Sequence, residues 1–176
     1  MKEISWPDIQ LFSGMTPEQI DTIRPIFFTR EYQAGQTLIE EGEMSDEMFV
    51  LVSGRVRISK SMLIKGMSLP LAEMTNPRKV LATLDETHYP TFGEMALLDR
   101  DTRSATVEVV EDSSFLVTDR SRFFALVASH PDVGCKILTA LGKSMAGMVR
   151  KANVDMVKLT TALALSLGKK IGGSQE

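Results

Sequence analysis

Cysteine is nearly absent from this chain of 176 residues: Cys135 stands alone. That excludes an internal disulfide, a cysteine-built zinc site and a cysteine-bound iron–sulfur cluster. Histidine is almost as scarce. His88 and His130 are the two available, too few and too scattered for an imidazole-rich metalloenzyme or a metal-dependent barrel of the cupin type, so surface or packing roles are expected for both. An excess of basic charge is also lacking. Lys and Arg number 20 against 23 Asp and Glu, a net charge of −3, the wrong sign for a protein that coats nucleic acid through its phosphates. No run approaches the roughly 18 uninterrupted apolar residues of a membrane span. Met1-Lys2-Glu3-Ile4-Ser5-Trp6-Pro7 has no apolar signal core, so a cytoplasmic protein with no membrane association is expected. What remains is 43% hydrophobic and 24% charged, the balance of an ordinary globular chain.

The chain reads as three successive textures. Phe12 to Phe28 is helical: Thr16 is placed to cap, Pro17 suits the first helical position, and Ile20, Ile23, Ile26 and Phe27 recur on one face. Pro25 ends or kinks that helix. From about Arg30 to Asp119 short strands are punctuated by glycine. Thr37–Ile39, Met48–Val52, Val56–Ser59, Val80–Leu84, Ala105–Val110 and Ser114–Thr118 read as strands, with Gly35, Gly42 and Gly54 at turns and a tight hairpin expected at Ser53-Gly54. Many short strands at near-regular spacing predict a β-barrel or roll. Met62–Lys79 holds Gly66, Pro70, Asn76 and Pro77 and reads as an extended hairpin loop or a small inserted helix.

Helix returns at Asp119–Ser129, with Phe123, Phe124, Leu126 and Val127, and restarts at His130-Pro131-Asp132. From there one long helix of roughly 38 residues is predicted to about Lys170, about 57 Å if unbroken. Leu138, Leu141, Met145, Met148, Ala152 and Leu159 recur in alternating steps of three and four, a heptad-like seam that Asp155 interrupts. A second copy of the same helix is the simplest partner for such a stripe, so a homodimer is expected. The other reading is a stripe that packs on its own domain. Gly134, Gly142 and Gly147 weaken the helix by propensity. The organisation predicted is a roll with flanking helices over 1–130, the long helix over 131–170 and a tail over 171–176.

One segment carries chemistry: Phe92-Gly93-Glu94-Met95-Ala96-Leu97-Leu98-Asp99-Arg100-Asp101-Thr102-Arg103-Ser104-Ala105-Thr106-Val107. Gly93 permits a tight backbone passage out of a strand. Glu94–Leu98 suffices for about one helical turn, whose first N–H groups point outward and favour an anion. Glu94, an acceptor-only carboxylate, repels a phosphate but suits a ribose hydroxyl. Arg103 brings a planar fork for two phosphate oxygens, and Ser104 adds a hydroxyl beside it. A structural ion pair between Glu94 and Arg103 is the plainer alternative. Asp99-Arg100-Asp101 reads as a solvated loop tip.

This segment resembles the phosphate-binding cassette of the cyclic-nucleotide-binding domain, the family of catabolite activators, cyclic-nucleotide-dependent kinase regulatory subunits and gated channels. Gly35, Gly42, Asp46 and Ser53-Gly54 extend the resemblance, which covers about Phe12 to Ala152. It implies a mainly β fold, an eight-stranded, jelly-roll-like β-roll with an N-terminal helix and a long C-terminal one. It implies a regulatory receptor for cAMP or cGMP, with no cofactor and no metal. Glu94 would receive the ribose 2′-hydroxyl and Arg103 the cyclic phosphate, with N–H groups near Met95 and Ala96 joining in and Phe92, Gly93, Leu97, Ser104 and Ala105 completing the cassette. Resemblance and register put Ile58, Leu81 and Leu84 on the wall near the base, and Met148 and Val149 on a lid with Arg150 and Lys151 as its polar candidates. Ser104, where relatives that prefer guanine often have Thr, tilts the expectation towards cAMP.

After Lys170 only Ile171-Gly172-Gly173-Ser174-Gln175-Glu176 remain, too little for the helix-turn-helix that family transcription factors carry, so direct DNA binding is not expected and the signal would pass to an effector protein. No nucleophile–base pair stands out, so an enzyme is not expected. The alternatives are a ligand-free interaction or dimerisation module on the same roll, or a roll sensing another effector.

Overall fold

Thr16 opens the first helix as its neighbours dictate. In the computed structural model, which describes residues 4–62 and 78–172 with side chains to residue 166, the Thr16 hydroxyl accepts from the Gln19 N–H at 3.3 Å, and the Gln19 side chain accepts from the Thr16 N–H at 3.2 Å. This reciprocal box satisfies two orphan donors and starts α1, Pro17–Ile23. Two single 3₁₀ turns, Trp6–Asp8 and Gln10–Phe12, precede it. At Pro25 the α-helix has already given way to a 3₁₀ turn, Arg24–Ile26, as a missing N–H requires. Ile20 and Ile23 are buried, and Trp6 stacks on Phe12, which meets Phe27 edge-on.

Six strands follow: β1 (Phe28–Tyr32), β2 (Thr37–Ile39), β3 (Glu47–Ser61), β4 (Arg78–Asp85), β5 (Thr91–Phe92) and β6 (Thr106–Asp119). They form one antiparallel sheet in the order β1-β6-β3-β4, with β2 also on β6 and β5 also on β3. The sheet is the open β-roll of mainly β character that the sequence predicts. β3 and β6 are each long enough to serve as two strands, which reconciles six continuous segments with an eight-strand roll.

The hairpin expected at Ser53-Gly54 does not form. The chain passes straight through it, because Met48–Leu51 and Val56–Ser59 both pair with β6 and the register merely shifts between them. Gly54 sits at φ +95°, where a Cβ would collide with Ser113 Oγ and lie 2.5 Å from the Asp112 carbonyl. It makes a bulge that bends the strand rather than a turn that reverses it. The strands predicted at Ala105–Val110 and Ser114–Thr118 fuse into β6 in the same way, with Ala105 itself just outside it. The loop predicted over Met62–Lys79 falls largely outside the described residues; Met62 is exposed and outside any strand, and Arg78 and Lys79 belong to β4.

The core lies inside the roll, where Phe49, Leu51, Val56, Phe92, Val109 and Phe115 are buried together. Phe49 and Phe92 stack at 5.9 Å, and Phe115 meets both rings edge-on at 6.2 and 6.1 Å, favourable arrangements for ring quadrupoles. After β5 comes the short helix α2 (Glu94–Asp99). α3 (Arg120–Ser129) is capped by Asp119, which accepts from the Arg122 N–H at 2.9 Å. α4 (Pro131–Gly172) begins on its proline. Its first turns are tied to α1, where Gln19 donates to Asp132 at 3.2 Å and accepts from Lys136 at 2.8 Å.

The chain divides into two compact units, Met1–Ile137 and Leu138–Glu176. In the second, every residue from Met148 to the last described side chain is exposed. No described helix is long and apolar enough to cross a membrane.

Candidate functional site

Gly93 makes the site possible. It joins β5 to α2 at φ +83°, a conformation that favours glycine. A Cβ there would stand 2.8 Å from Arg103 Nη1 and 2.9 Å from the Glu47 carbonyl, so the position needs both the backbone freedom and the empty space. α2 then presents Glu94 first, and by helix geometry its opening N–H groups have no acceptor within the helix. Ala96 and Leu97 are buried beneath it, and Met95 points outward.

Arg103 reaches the same place from the far side of the loop. Its backbone is zipped to the β2–β3 connection: Gly42 N donates to Arg103 O and Arg103 N donates to Glu43 O, each at 2.9 Å, beside a bridge between Met44 and Thr102. Arg103 is only 5% exposed. Nη1 donates to the Gly93 carbonyl at 3.2 Å and Nη2 to Ser45 Oγ at 2.9 Å. Its Cζ lies 5.9 Å from the Phe49 ring centroid, which rests the charged group on the aromatic core.

The plain alternative, an ion pair between Glu94 and Arg103, does not form; the guanidinium donates to a carbonyl and a hydroxyl instead. Glu94 is itself 7% exposed. Burial raises its pKa, opposed by its own backbone N–H and by the charge of Arg103. Burial likewise lowers the pKa of Arg103, against the carboxylates of Glu47, Asp46, Glu94 and Glu43. The two groups thus stand side by side, dehydrated and unneutralised by a direct contact. That is an arrangement for one anion and one hydroxyl donor.

Around this pair the other expected residues divide. Ser104 is exposed, its hydroxyl on the Met95 thioether at 3.9 Å, and its carbonyl accepts from Lys60 at 2.9 Å. Ala105 is half-buried. Phe92 belongs to the core. Ile58 and Leu84 pack against that core from partly buried positions. Leu81, by contrast, is the unpaired residue between the Ile58–Ala82 and Ser59–Val80 pairs and stays 46% exposed. Met148 and Val149 lie in the second unit, 46% and 59% exposed. Of the tip predicted at Asp99-Arg100-Asp101, Asp99 is instead the last residue of α2, while Arg100, at φ +61°, and Asp101 are exposed in the loop.

Two contributors escape a reading of the sequence. Ser45 holds the Arg103 fork. Arg120, the first residue of α3, donates to the carbonyls of Leu97 and Leu98 at the end of α2 and stacks over Phe124 at 4.4 Å. A cation at these carbonyls favours the helix C-terminus. It also fastens the cassette helix to α3.

A cleft of about 640 Å³ lined by Thr29, Tyr32, Ser53, Asp112 and Ser114 among others contains neither Glu94 nor Arg103. Its polar groups are largely satisfied internally, with Ser53 and Ser114 hydroxyls 2.7 Å apart and Asp112 accepting from Ala34 N at 2.8 Å. Among the described residues no group of three His, Cys, Asp or Glu is gathered to hold a metal ion.

Residues 29–130 match the family model of the cyclic nucleotide-binding domain, and the chain belongs to that family. It is 29% identical over 146 residues to the Cyclic AMP receptor protein of Thermus thermophilus, covering 83% of this chain and 60% of the receptor. The crystal structure of the Thermus thermophilus catabolite activator protein matches with a TM-score of 0.71 at 28% identity, over 86% of this chain and 63% of that one. Mouse cGMP-dependent protein kinase 2 is 26% identical over 163 residues, 90% of this chain but 20% of the kinase. The chain therefore spans less than two thirds of these relatives, and what it shares with them is the binding domain.

Proposed function

We propose that this chain is a non-enzymatic receptor for a cyclic nucleotide, cAMP first and cGMP as the alternative. One observation carries the reading: Glu94 and Arg103 are both buried, and neither is spent on the other. A dehydrated guanidinium with no ion-pair partner is ready for a phosphodiester. A dehydrated carboxylate is ready for a hydroxyl donor. In this reading Glu94 accepts the ribose 2′-hydroxyl, while Arg103, the N–H groups of Met95 and Ala96 and the Ser104 hydroxyl take the cyclic phosphate. Phe92, Gly93, Leu97 and Ala105 frame them. Ile58, Leu81 and Leu84 form the wall near the base.

Ligand would shift a population rather than perform chemistry. Closure of α2 on the phosphate would be passed through the Leu97 and Leu98 carbonyls to Arg120, and so to α3 and the His130-Pro131 junction. α4 would move and, paired with a second copy of itself through 131–170, hand the signal to an effector protein in the cytoplasm. No contact with DNA is part of the reading.

Titration calorimetry with cAMP, cGMP and 5′-AMP tests it. Saturable binding of a cyclic nucleotide in preference to 5′-AMP is expected, and Arg103→Ala should weaken it by about 2–5 kcal/mol, the scale for removing one partner of a buried charged contact. The absence of saturable heat for both cyclic nucleotides at millimolar concentration would refute the receptor.

A further inference from the structure

Arg103 needs more than burial to work as an anion fork, because a guanidinium on a flexible stem must be aimed. Four carboxylates, Glu43, Asp46, Glu47 and Glu94, bear on it electrostatically, yet none of them is its hydrogen-bond partner. The side chain that touches it is neutral: Ser45 Oγ accepts from Nη2 at 2.9 Å, while the Gly93 carbonyl takes Nη1 at 3.2 Å. Ser45 comes into range because its own strip of chain is locked to that of Arg103. The bonds Gly42 N to Arg103 O and Arg103 N to Glu43 O, with the Met44–Thr102 bridge, set the two segments side by side.

The chemical character of this contact decides its consequence. A carboxylate at position 45 would neutralise Arg103 with a charge-assisted pair that an incoming phosphate would have to displace. A methyl at that position would leave one end of the fork unheld. A hydroxyl orients the group without cancelling its charge. We propose that Ser45 is a positioning residue of the anion subsite, fixing the plane of the Arg103 guanidinium for a phosphodiester. The proposal rests on the cyclic-nucleotide reading for the identity of the anion, but not for the orientation of the arginine.

Two measurements on the full chain separate those dependences. In ligand-free protein, nitrogen-15 NMR of arginine side chains, with the Arg103 signal assigned by its loss in Arg103→Lys, should show restricted Nη rotation. Ser45→Ala should release that rotation, and Ser45→Thr should restore it with unchanged thermal stability. In calorimetry with cAMP, Ser45→Ala should weaken binding about tenfold, consistent with one hydrogen bond to a charged group. Ser45→Thr should bind within about threefold of the natural chain, and Ser45→Asp should lose a hundredfold or more. If the Arg103 signal is as restricted in Ser45→Ala as in the natural chain, the positioning role is wrong whatever binds. If natural protein and Ser45→Ala bind cAMP equally, it is wrong for the ligand as well. If the signal depends on Ser45 but neither cyclic nucleotide binds, the positioning role stands and the receptor reading falls.

Discussion

Apolar side chains meet opposite fates in the two units. In the roll, Phe49, Phe92, Phe115 and Tyr32 form one continuous ring cluster, edge-on or stacked. Along the distal part of α4, Leu159, Leu163 and Leu165 are 60% exposed or more. The roll completes its own core, and the cassette stands on it, since the Phe49 ring lies under the Arg103 guanidinium. The distal helix carries an exposed apolar stripe, and a long helix draws most of its stability from packing rather than propensity. The proposed receptor reading assigns binding to the first unit and response to a partner to the second. The sharpest way to break this contrast is Phe115→Ala. Phe115 is wholly buried, and its truncation should cost about 3–5 kcal/mol, read in urea denaturation, with nucleotide binding lost only as the roll unfolds.

Glu94 is the place where the roll departs from its own rule, a carboxylate taken out of water. Burial raises its pKa above the ordinary 4.5, so the folded chain holds that proton more tightly than the unfolded one. Stability then falls as pH rises from 4.5 through the raised folded value, and the deficit is complete above it. Glu94→Gln removes the charge and keeps the shape. It should be more stable than the natural chain at neutral pH, and the difference should vanish as pH drops below the ordinary carboxylate range. Over the same substitution cyclic-nucleotide binding should weaken by about 1.5–3 kcal/mol, the scale of a hydrogen bond to a charged acceptor. A stability gap that does not change with pH would mean that burial of the charge is not its source. Such an exchange of stability for ligand contact is a recurring feature of binding sites.

What could be read from the sequence was whatever a short stretch decides by itself. Thr16 as cap and Pro17 at the first helical position need no help from the rest of the chain, and Glu94 with Arg103 lies within ten residues of cassette. Gly54 is ambiguous in the sequence because a positive φ serves a hairpin and a bulge equally, and only the pairing of both flanking segments with β6 distinguishes them. Ser45 and Arg120 were invisible for a related reason. The Ser45 contact with Arg103 spans 58 residues, and those of Arg120 with Leu97 and Leu98 span 23 and 22. Nothing in either residue's own neighbourhood marks it out. The fold brings these partners together through strand register, and a periodic pattern does not encode register between distant strands.

The smallest stability effect belongs to the distal helix, where it is the most informative. Leu159→Gln with Leu163→Gln alters two exposed side chains, so the melting behaviour of the roll should move by no more than about 0.5 kcal/mol, and its nucleotide affinity should be retained. The mass in sedimentation equilibrium should nevertheless fall from dimer to monomer, because Leu159 belongs to the seam proposed as the contact with a second copy and Leu163 follows it by one further step of four. The same change of leucine to glutamine inside the roll, at Leu51, would bury an amide among aromatic rings and unfold it. A natural chain that sediments as a monomer, or a double variant that remains a dimer, would show that the stripe serves some contact other than self-association, and the division between a self-sufficient roll and a partner-dependent helix would then have to be drawn elsewhere along α4.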